Sequence, residues 1–214
     1  TRVLTHRISH LINHDGVVPS QILAITFTNK AAREMAERVA AEVGGAARGM
    51  WVSTFHSSCV RILRREAKRL NMTTSFSIYD SADSQRLLTL VARDLDLDPK
   101  RYSARSLAVR ISNAKNELVD YEDFRRRAEQ PEELLLAEVY TEYQRRLLRA
   151  NAFDFDDLIG ATVALLQMFP DVAEHYHRRF RHILVDEYQD TNHAQYVLVK
   201  ELVGSGDDGV PPAQ

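Results

Sequence analysis

The sequence has few of the features that mark secreted and membrane proteins. Its 214 residues include one cysteine, Cys59, which excludes an internal disulfide and fits a reducing, cytoplasmic location. No apolar run approaches the roughly 20 residues needed to span a bilayer. The opening Thr1-Arg2-Val3-Leu4 leads directly into an amphipathic pattern, so no signal peptide is expected. These absences leave an ordinary globular protein with a hydrophobic content of 44%.

The chain also lacks a large net charge. A formal net charge of −2 gives no overall argument for binding nucleic acid. Arginine nevertheless outnumbers lysine, and its planar guanidinium group suits phosphate. Two interpretations remain open for the arginine-rich stretches of the sequence: surfaces that bind phosphate, or helix faces that lie in solvent. There are four such stretches, at residues 61–69, 125–127, 145–149 and 178–181.

The hydrophobic pattern predicts an α/β fold with an all-helical insertion. Three strands are expected, and their alternation with helices is typical of a parallel sheet with crossovers. From about Ser81 to Phe169 only helical patterns are found. The predicted strands are 22–27, 50–53 and 183–186. The predicted helices begin near residue 4 and continue at 29–43, 55–70, 81–95, 103–116, 121–128, 132–149, 155–169, 171–180 and 193–203, before a loop at 204–212.

The most informative segment is the predicted strand that runs into Asp186 and Glu187. Its apolar run is typical of a buried parallel strand, and ligands of open α/β sheets gather at the carboxyl ends of such strands. Two adjacent carboxylates at that position suit a divalent cation and a base beside a phosphate. The alternative is a strand followed by the acidic start of a helix, where carboxylates are favoured anyway.

Two other predicted strands also end in polar groups. In Thr26-Phe27-Thr28-Asn29, either Thr28 or Asn29 suits a helix N-cap, and Phe27 is either a stacking platform for an unpaired base or a core aromatic. Ser53-Thr54-Phe55-His56-Ser57-Ser58 suits phosphate or sugar contacts, or plain helix capping. Because similar chemistry follows both strands, a shared ligand is favoured. The carboxylates of a fourth cluster, Phe153-Asp154-Phe155-Asp156-Asp157-Leu158, are also explained by a helix N-terminus.

Five segments, in order, resemble the UvrD/PcrA/Rep family of superfamily 1 DNA helicases. Together they extend over almost the whole chain, and their shared order and spacing are far more specific than any one of them. The similarity is greatest to the PcrA/UvrD branch, and the arginine bias suggests a high-GC bacterium such as an actinobacterium. The segments are ILAITFTNKAAREM, WVSTFHSSCVRILRR, SNAKNEL, FDFDDL and LVDEYQDTNHAQY.

The resemblance implies a RecA-like P-loop NTPase core that uses ATP and Mg²⁺ to move 3′ to 5′ along single-stranded DNA. It further implies unwinding at a junction of single- and double-stranded DNA, a role in repair or replication, and repair proteins rather than a membrane as partners. Motor domain 1A is expected at 1–75 and 156–214. A helical subdomain, 1B, is expected at 76–155 near the duplex.

The resemblance also implies roles for individual residues. Asp186 is expected to hold Mg²⁺ and Glu187 to activate the attacking water, while Gln189 joins Asp190 in coupling nucleotide state to DNA contacts. Thr1 and Arg2 are expected to bind the nucleotide, and the Thr1 hydroxyl also to ligate Mg²⁺. DNA contacts are expected from Thr26, Phe27, Thr28, Asn29, Thr54, His56, Lys115 and Asn116.

The family pattern extends beyond this sequence at both ends. In the family, the helix that begins at Arg2 follows a phosphate loop whose final threonine matches Thr1. The glycines and lysine of that loop, and the second RecA-like domain with its arginine fingers, are not in the sequence. The chain is therefore expected to be a helicase fragment that is inactive alone, because those groups supply charge stabilisation that the Asp-Glu pair cannot replace.

Three other functions remain open. The helicase subunit of a recombination helicase–nuclease shares the fold, although the compact insertion and the DEYQDTN sequence favour a UvrD-like helicase. A non-catalytic module that binds DNA or a protein partner would keep ATP turnover after Glu187→Gln. A metabolic P-loop enzyme would show no stimulation of ATP hydrolysis by single-stranded DNA.

Overall fold

The computed structural model describes residues 2–214, apart from the side chain of Ala46. Within that range, strands β1 to β5 lie at Ile22–Thr26, Trp51–Thr54, Ser77–Tyr79, Ala152–Asp154 and His182–Val185. Helices α1 to α10 lie at Arg2–Asn13, Asn29–Val43, Phe55–Glu66, Ser81–Asp94, Ala104–Asn116, Tyr121–Arg127, Pro131–Arg149, Phe155–Met168, Pro170–Arg179 and His193–Val203. Short 3₁₀ helices occupy Pro19–Gln21, Gly44–Ala47, Ala67–Leu70 and Tyr188–Asp190.

The backbone divides into two compact units. The first contains the described residues up to Ile62 together with Thr162–Thr191 and Gln195–Gln214. The second contains Leu63–Ala161 and the short segment Asn192–Ala194. The family subdomain boundaries expected near residues 75 and 155 stay a prediction.

The first unit is built on a parallel sheet with the strand order β2-β1-β5. All five residues of the central strand β1 are buried. Its side chains Ile22 and Ala24 share a core cluster with Ile8 of α1 and with Met35 and Val39 of α2. The parallel α/β core predicted from the sequence is therefore confirmed.

Helix α2 shows why some boundaries are readable from sequence. Thr28, one of the two predicted N-caps, accepts a hydrogen bond from the Ala31 backbone N–H at 3.1 Å through its side-chain oxygen. The helix ends at Gly44, whose φ of 60° lies in the left-handed region that glycine adopts at low cost. Both ends of α2 agree with the predicted range of 29–43.

The second unit is a helical cluster with a small sheet. Helices α4, α5 and α7 pack around a core that includes Leu88, Ile111 and Tyr140. Strands β3 and β4 pair in parallel, with Tyr79 opposite Asp154. Strand β4 lies inside the stretch 81–169, for which only helices were predicted, so the all-helical prediction was wrong at this strand. A strand of three residues is too short to give a period-2 signal and is stabilised by its pairing.

Two further elements differ from the prediction. Strand β5 was expected to be buried, but its four residues are only half-buried because it has a single strand partner, β1, among the described residues. Helix α3 ends at Glu66 rather than Leu70, and the chain continues as a 3₁₀ turn that closes at Asn71 with φ 57°. No helix between residues 2 and 214 has the length and apolar character needed to cross a membrane.

Candidate functional site

The carboxyl ends of β2, β1 and β5 lie side by side at one edge of the sheet. Thr26 is opposite Thr54, and the Asp186 N–H donates to the Ile25 carbonyl at 2.9 Å, which places Asp186 beside the end of β1. The strand that follows β1 in sequence, β2, pairs with one side of β1, and β5 pairs with the other side. Such a reversal of strand order is a topological switch point, where open α/β sheets bind their ligands.

The two predicted carboxylates have different surroundings at this edge. Asp186 is 7% exposed, whereas Glu187 lies in solvent. Glu187 also has a left-handed backbone, with φ 49° and ψ 43°. That conformation is costly for a residue with a Cβ, and such strain concentrates at functional sites. The Gln189 side-chain amide donates to the Glu187 carboxylate at 2.5 Å, so the third predicted catalytic residue contacts the second.

The donor chemistry of this edge fits Mg²⁺, which binds proteins through one or two carboxylates and takes its other ligands from water and phosphates. Asp186 supplies such a carboxylate directly after the strand. Among residues 2–214, no group of three or more His, Cys, Asp or Glu side chains is placed to hold a metal ion by itself. Thr1, the other predicted ligand, lies outside the described residues, and Arg2 is exposed at the start of α1.

The end of β1 presents an aromatic ring. Phe27 is 36% exposed and packs edge-on against Phe55, with ring centroids 5.4 Å apart. Phe27 is therefore partly exposed while one side of the residue packs against a second aromatic ring. Thr26 is fully buried and its hydroxyl donates to the Thr28 carbonyl at 3.1 Å, so its side chain shapes the turn rather than facing solvent. Asn29 is exposed at the first position of α2.

The polar residues after β2 were predicted either to contact phosphate or sugar or to cap the following helix, and the structure shows helix capping. The Thr54 hydroxyl accepts from the Ser57 N–H at 3.2 Å and lies 3.0 Å from the Ser57 hydroxyl. Thr54 is 7% exposed, and Ser53 bonds to Ser58 at 2.6 Å inside the unit. Thr54 and His56 are the predicted DNA contacts at this strand end, and His56, which is half-buried, is the more accessible to solvent.

Lys115 was predicted to contact DNA, and that contact stays a prediction, but the structure places its charged group in the protein interior. Its side chain is 5% exposed, and its ammonium lies 2.7 Å from an oxygen of Asp154 and 2.7 Å from an oxygen of Asp157. Two carboxylates therefore hold this ammonium inside the second unit. Asn116, the neighbouring predicted contact, is half-buried and accepts a hydrogen bond from the Asn192 amide at 2.9 Å.

Burial and charge set opposite pKa shifts on the two carboxylates bound to Lys115. Burial raises the pKa of Asp157 to about 6, and the opposing charge of Lys115 only partly offsets that. Burial also acts on Asp154, but the charge of Lys115 and the hydrogen bonds that Asp154 accepts outweigh it and hold its pKa below the usual range. The two carboxylates together keep the pKa of Lys115 above its usual range despite its burial.

Phe155 is a candidate residue that the sequence reasoning missed. It is the first residue of α8, directly after β4, and it is 45% exposed. Phe27 likewise follows a parallel strand and is partly exposed. The available signal was the aromatic ring between two aspartates in FDFDDL, at a strand-to-helix junction like that of Phe27.

Several residues of the arginine-rich stretches are used inside the protein. The Arg64 guanidinium donates to the carbonyls of Thr74 and Phe76, each at 2.7 Å. Arg61 lies over the Trp51 ring at 3.8 Å from its centroid. These contacts support the structural interpretation for those side chains, and phosphate binding by the remaining arginines stays a prediction.

The chain is similar to known helicases over its whole length. The sequence model of the family described as UvrD/REP helicase N-terminal domain matches residues 1–208. The chain is 62% identical over 219 residues to ATP-dependent DNA helicase UvrD1 of Mycobacterium tuberculosis, which covers 100% of this chain and 28% of that protein. It is 50% identical over 202 residues to ATP-dependent DNA helicase PcrA of Bacillus subtilis, covering 94% of this chain and 27% of that protein.

The chain thus spans less than a third of the length of these relatives. The fold is a partial RecA-like core with a helical insertion, and the assignment of the expected subdomains 1A and 1B to the two compact units stays a prediction. The chain belongs to the UvrD/REP helicase family and represents its N-terminal domain.

Proposed function

We propose that this chain is the first motor domain of an ATP-dependent DNA helicase that moves 3′ to 5′ along single-stranded DNA in the cytoplasm. The observation that carries the proposal is the Asp186-Glu187 pair at the topological switch point, with Phe27 and His56 on the neighbouring strand ends. The relatives are named ATP-dependent DNA helicases, which agrees with this chemistry. Unwinding at a junction and a role in repair or replication belong to the full-length protein.

The carboxyl edge of β5 is assigned the phosphoryl-transfer chemistry. Asp186 would hold a Mg²⁺ ion, which neutralises charge on the nucleotide phosphates when bound. Glu187 is positioned in solvent with its carboxylate held by Gln189, as suits a group that accepts a proton from water. Thr1 and Arg2 are assigned to the nucleotide through the resemblance alone.

The DNA-binding groups are assigned to the turns after β1 and β2, and to α8. Phe27 and Phe155 each offer a partly exposed ring, and base stacking on an aromatic side chain is worth about 1–3 kcal/mol per base irrespective of sequence. Asn29 and His56 would contact the DNA backbone. Thr26, Thr28 and Thr54 support these turns through their hydrogen bonds. Repair proteins remain proposed partners.

Strand displacement by the full-length protein tests this proposal. Two duplexes of identical sequence carry a single-stranded tail on either the 3′ or the 5′ side. We expect ATP-dependent release of the displaced strand from the 3′-tailed duplex, with little release from the 5′-tailed one. Efficient release from only the 5′-tailed duplex would overturn the direction, and no release with either substrate would overturn the unwinding activity.

A further inference from the structure

Lys115, Asp154 and Asp157 form the most deeply buried charged cluster that the proposed mechanism does not use. Their side chains are 5%, 9% and 12% exposed, respectively. The Lys115 ammonium bonds to both carboxylates at 2.7 Å. Such a cluster requires that its other polar atoms be paired as well, because unpaired buried charge is costly.

Helix α7 completes that pairing. The Tyr143 hydroxyl donates to Asp154 at 2.9 Å, and the Gln144 amide donates to Asp157 at 3.2 Å. Lys115 comes from the last turn of α5, so the cluster joins α5, α7 and the start of α8 within the second unit.

The same two carboxylates build the start of α8. Asp154 accepts from the Asp157 backbone N–H at 2.8 Å, and Asp157 accepts in return from the Asp154 N–H at 3.3 Å. This reciprocal pattern is a capping box, which fixes the first turn of a helix. Phe155 and Asp156 are the two residues between these anchors, and Phe155 is 45% exposed.

We infer that Lys115, Asp154 and Asp157 are positioning residues that hold the Phe155 ring exposed at the start of α8 for stacking on a DNA base. This inference rests on the proposed function, because it needs DNA as the ligand. It gives Lys115 an indirect role in DNA binding in place of the expected direct contact with DNA. Lys115 fixes two carboxylates, the carboxylates fix the helix start, and the helix start presents the ring.

The cluster also makes this presentation depend on pH. With the pKa of Asp157 near 6, lowering the pH through that value converts its charge-assisted bonds to Lys115 and Gln144 into weaker neutral ones. The other titratable groups facing the cluster are Tyr140 and Tyr143 on α7, whose pKa values burial raises further, and Asp120 and Asp156, whose charges act on Tyr140. Neither tyrosine changes charge near pH 6, because burial raises the pKa of each above its ordinary value of 10.0.

Stability and positioning respond to this protonation in opposite directions. The folded-state pKa of Asp157 is raised above its ordinary value of 3.8. Its contribution to stability is therefore fully present below the unfolded pKa and is lost as pH rises through about 6. Lowering the pH from neutral should thus increase the contribution of Asp157 to the free energy of unfolding. The same change should weaken the contacts that hold the Phe155 ring in its exposed position. A purely structural role would move both quantities together.

The test uses the full-length protein and an oligonucleotide carrying 5-iododeoxyuridine, which crosslinks to stacked aromatic side chains on irradiation. Mass spectrometry gives the crosslink yields at the peptides of Phe27 and Phe155. Asp157→Asn should lower the ratio of Phe155 to Phe27 crosslinks by about 5-fold or more, which corresponds to loss of one stacking contact. Asp156→Asn, the control one position earlier, should leave the ratio unchanged.

The wild-type protein supplies a second measurement that needs no variant. Its Phe155-to-Phe27 ratio should fall as the pH is lowered through 6, and in Asp157→Asn the ratio should no longer depend on pH. An unchanged ratio in both measurements would overturn the inference. Crosslinking at Phe27 without any at Phe155 would overturn it while leaving the proposed function standing. Crosslinking at neither residue would overturn both.

Discussion

Replacing Lys115 by methionine is expected to destabilise the protein by about 3–5 kcal/mol. Methionine is similar in length but carries no charge, so Asp154 and Asp157 would lose the ammonium that both contact at 2.7 Å. All three side chains are at most 12% exposed, so solvent cannot screen the two carboxylates that remain. The magnitude follows from breaking a buried ion pair on one side, which leaves uncompensated buried charge.

Urea unfolding followed by circular dichroism measures this loss. The matched control is Lys68→Met, an exposed lysine of the same unit, which should change stability by no more than about 0.5 kcal/mol. The triple variant Lys115→Met, Asp154→Asn, Asp157→Asn should recover more than half of the loss, because it leaves no buried charge. A cost below about 1 kcal/mol for Lys115→Met alone would refute the argument from buried charge.

Two other changes test local features of the fold. Gly204 has φ 79°, and a Cβ there would lie 3.0 Å from the His177 ring, so Gly204→Ala should cost at least about 1 kcal/mol in urea unfolding. Gly160→Ala in α8, where a Cβ meets nothing within 4 Å, should instead add about 0.5–1 kcal/mol, and equal effects at both glycines would contradict this reasoning. Burial raises the pKa of the Cys59 thiol to about 12. Native protein should therefore resist iodoacetamide at mildly alkaline pH and react only when unfolded; rapid alkylation of native protein would contradict the placement of Cys59.

The strand ends of the first unit were predictable because their signals are local. The apolar run of β1 stops at polar residues, and the cap at Thr28 and the stop at Gly44 define α2. Cys59 is fully buried, as is common for a free cysteine, which packs as a small apolar residue. The half-buried state of β5 was not predictable, because an apolar run does not state how many neighbouring strands will cover it.

The second unit was less predictable because its key contacts are distant in sequence. Lys115 meets Asp154 and Asp157 across roughly forty positions, and nothing local to SNAKNEL reports those partners. One signal was nonetheless present, since Lys115 follows Ile111 by four residues and so shares the buried stripe of α5. Strands β3 and β4 were missed because each has only three residues and depends on its pairing with the other.

The rate of ATP hydrolysis by the full-length protein, with and without single-stranded DNA, tests the central claim most directly. We expect hydrolysis to depend strongly on DNA and to fall by at least about 100-fold in Glu187→Gln, because the amide cannot accept a proton from the attacking water. The variant should still bind ATP and DNA. Hydrolysis that ignores DNA, or that survives Glu187→Gln, would contradict the assignment of the Asp186-Glu187 edge as the motor site.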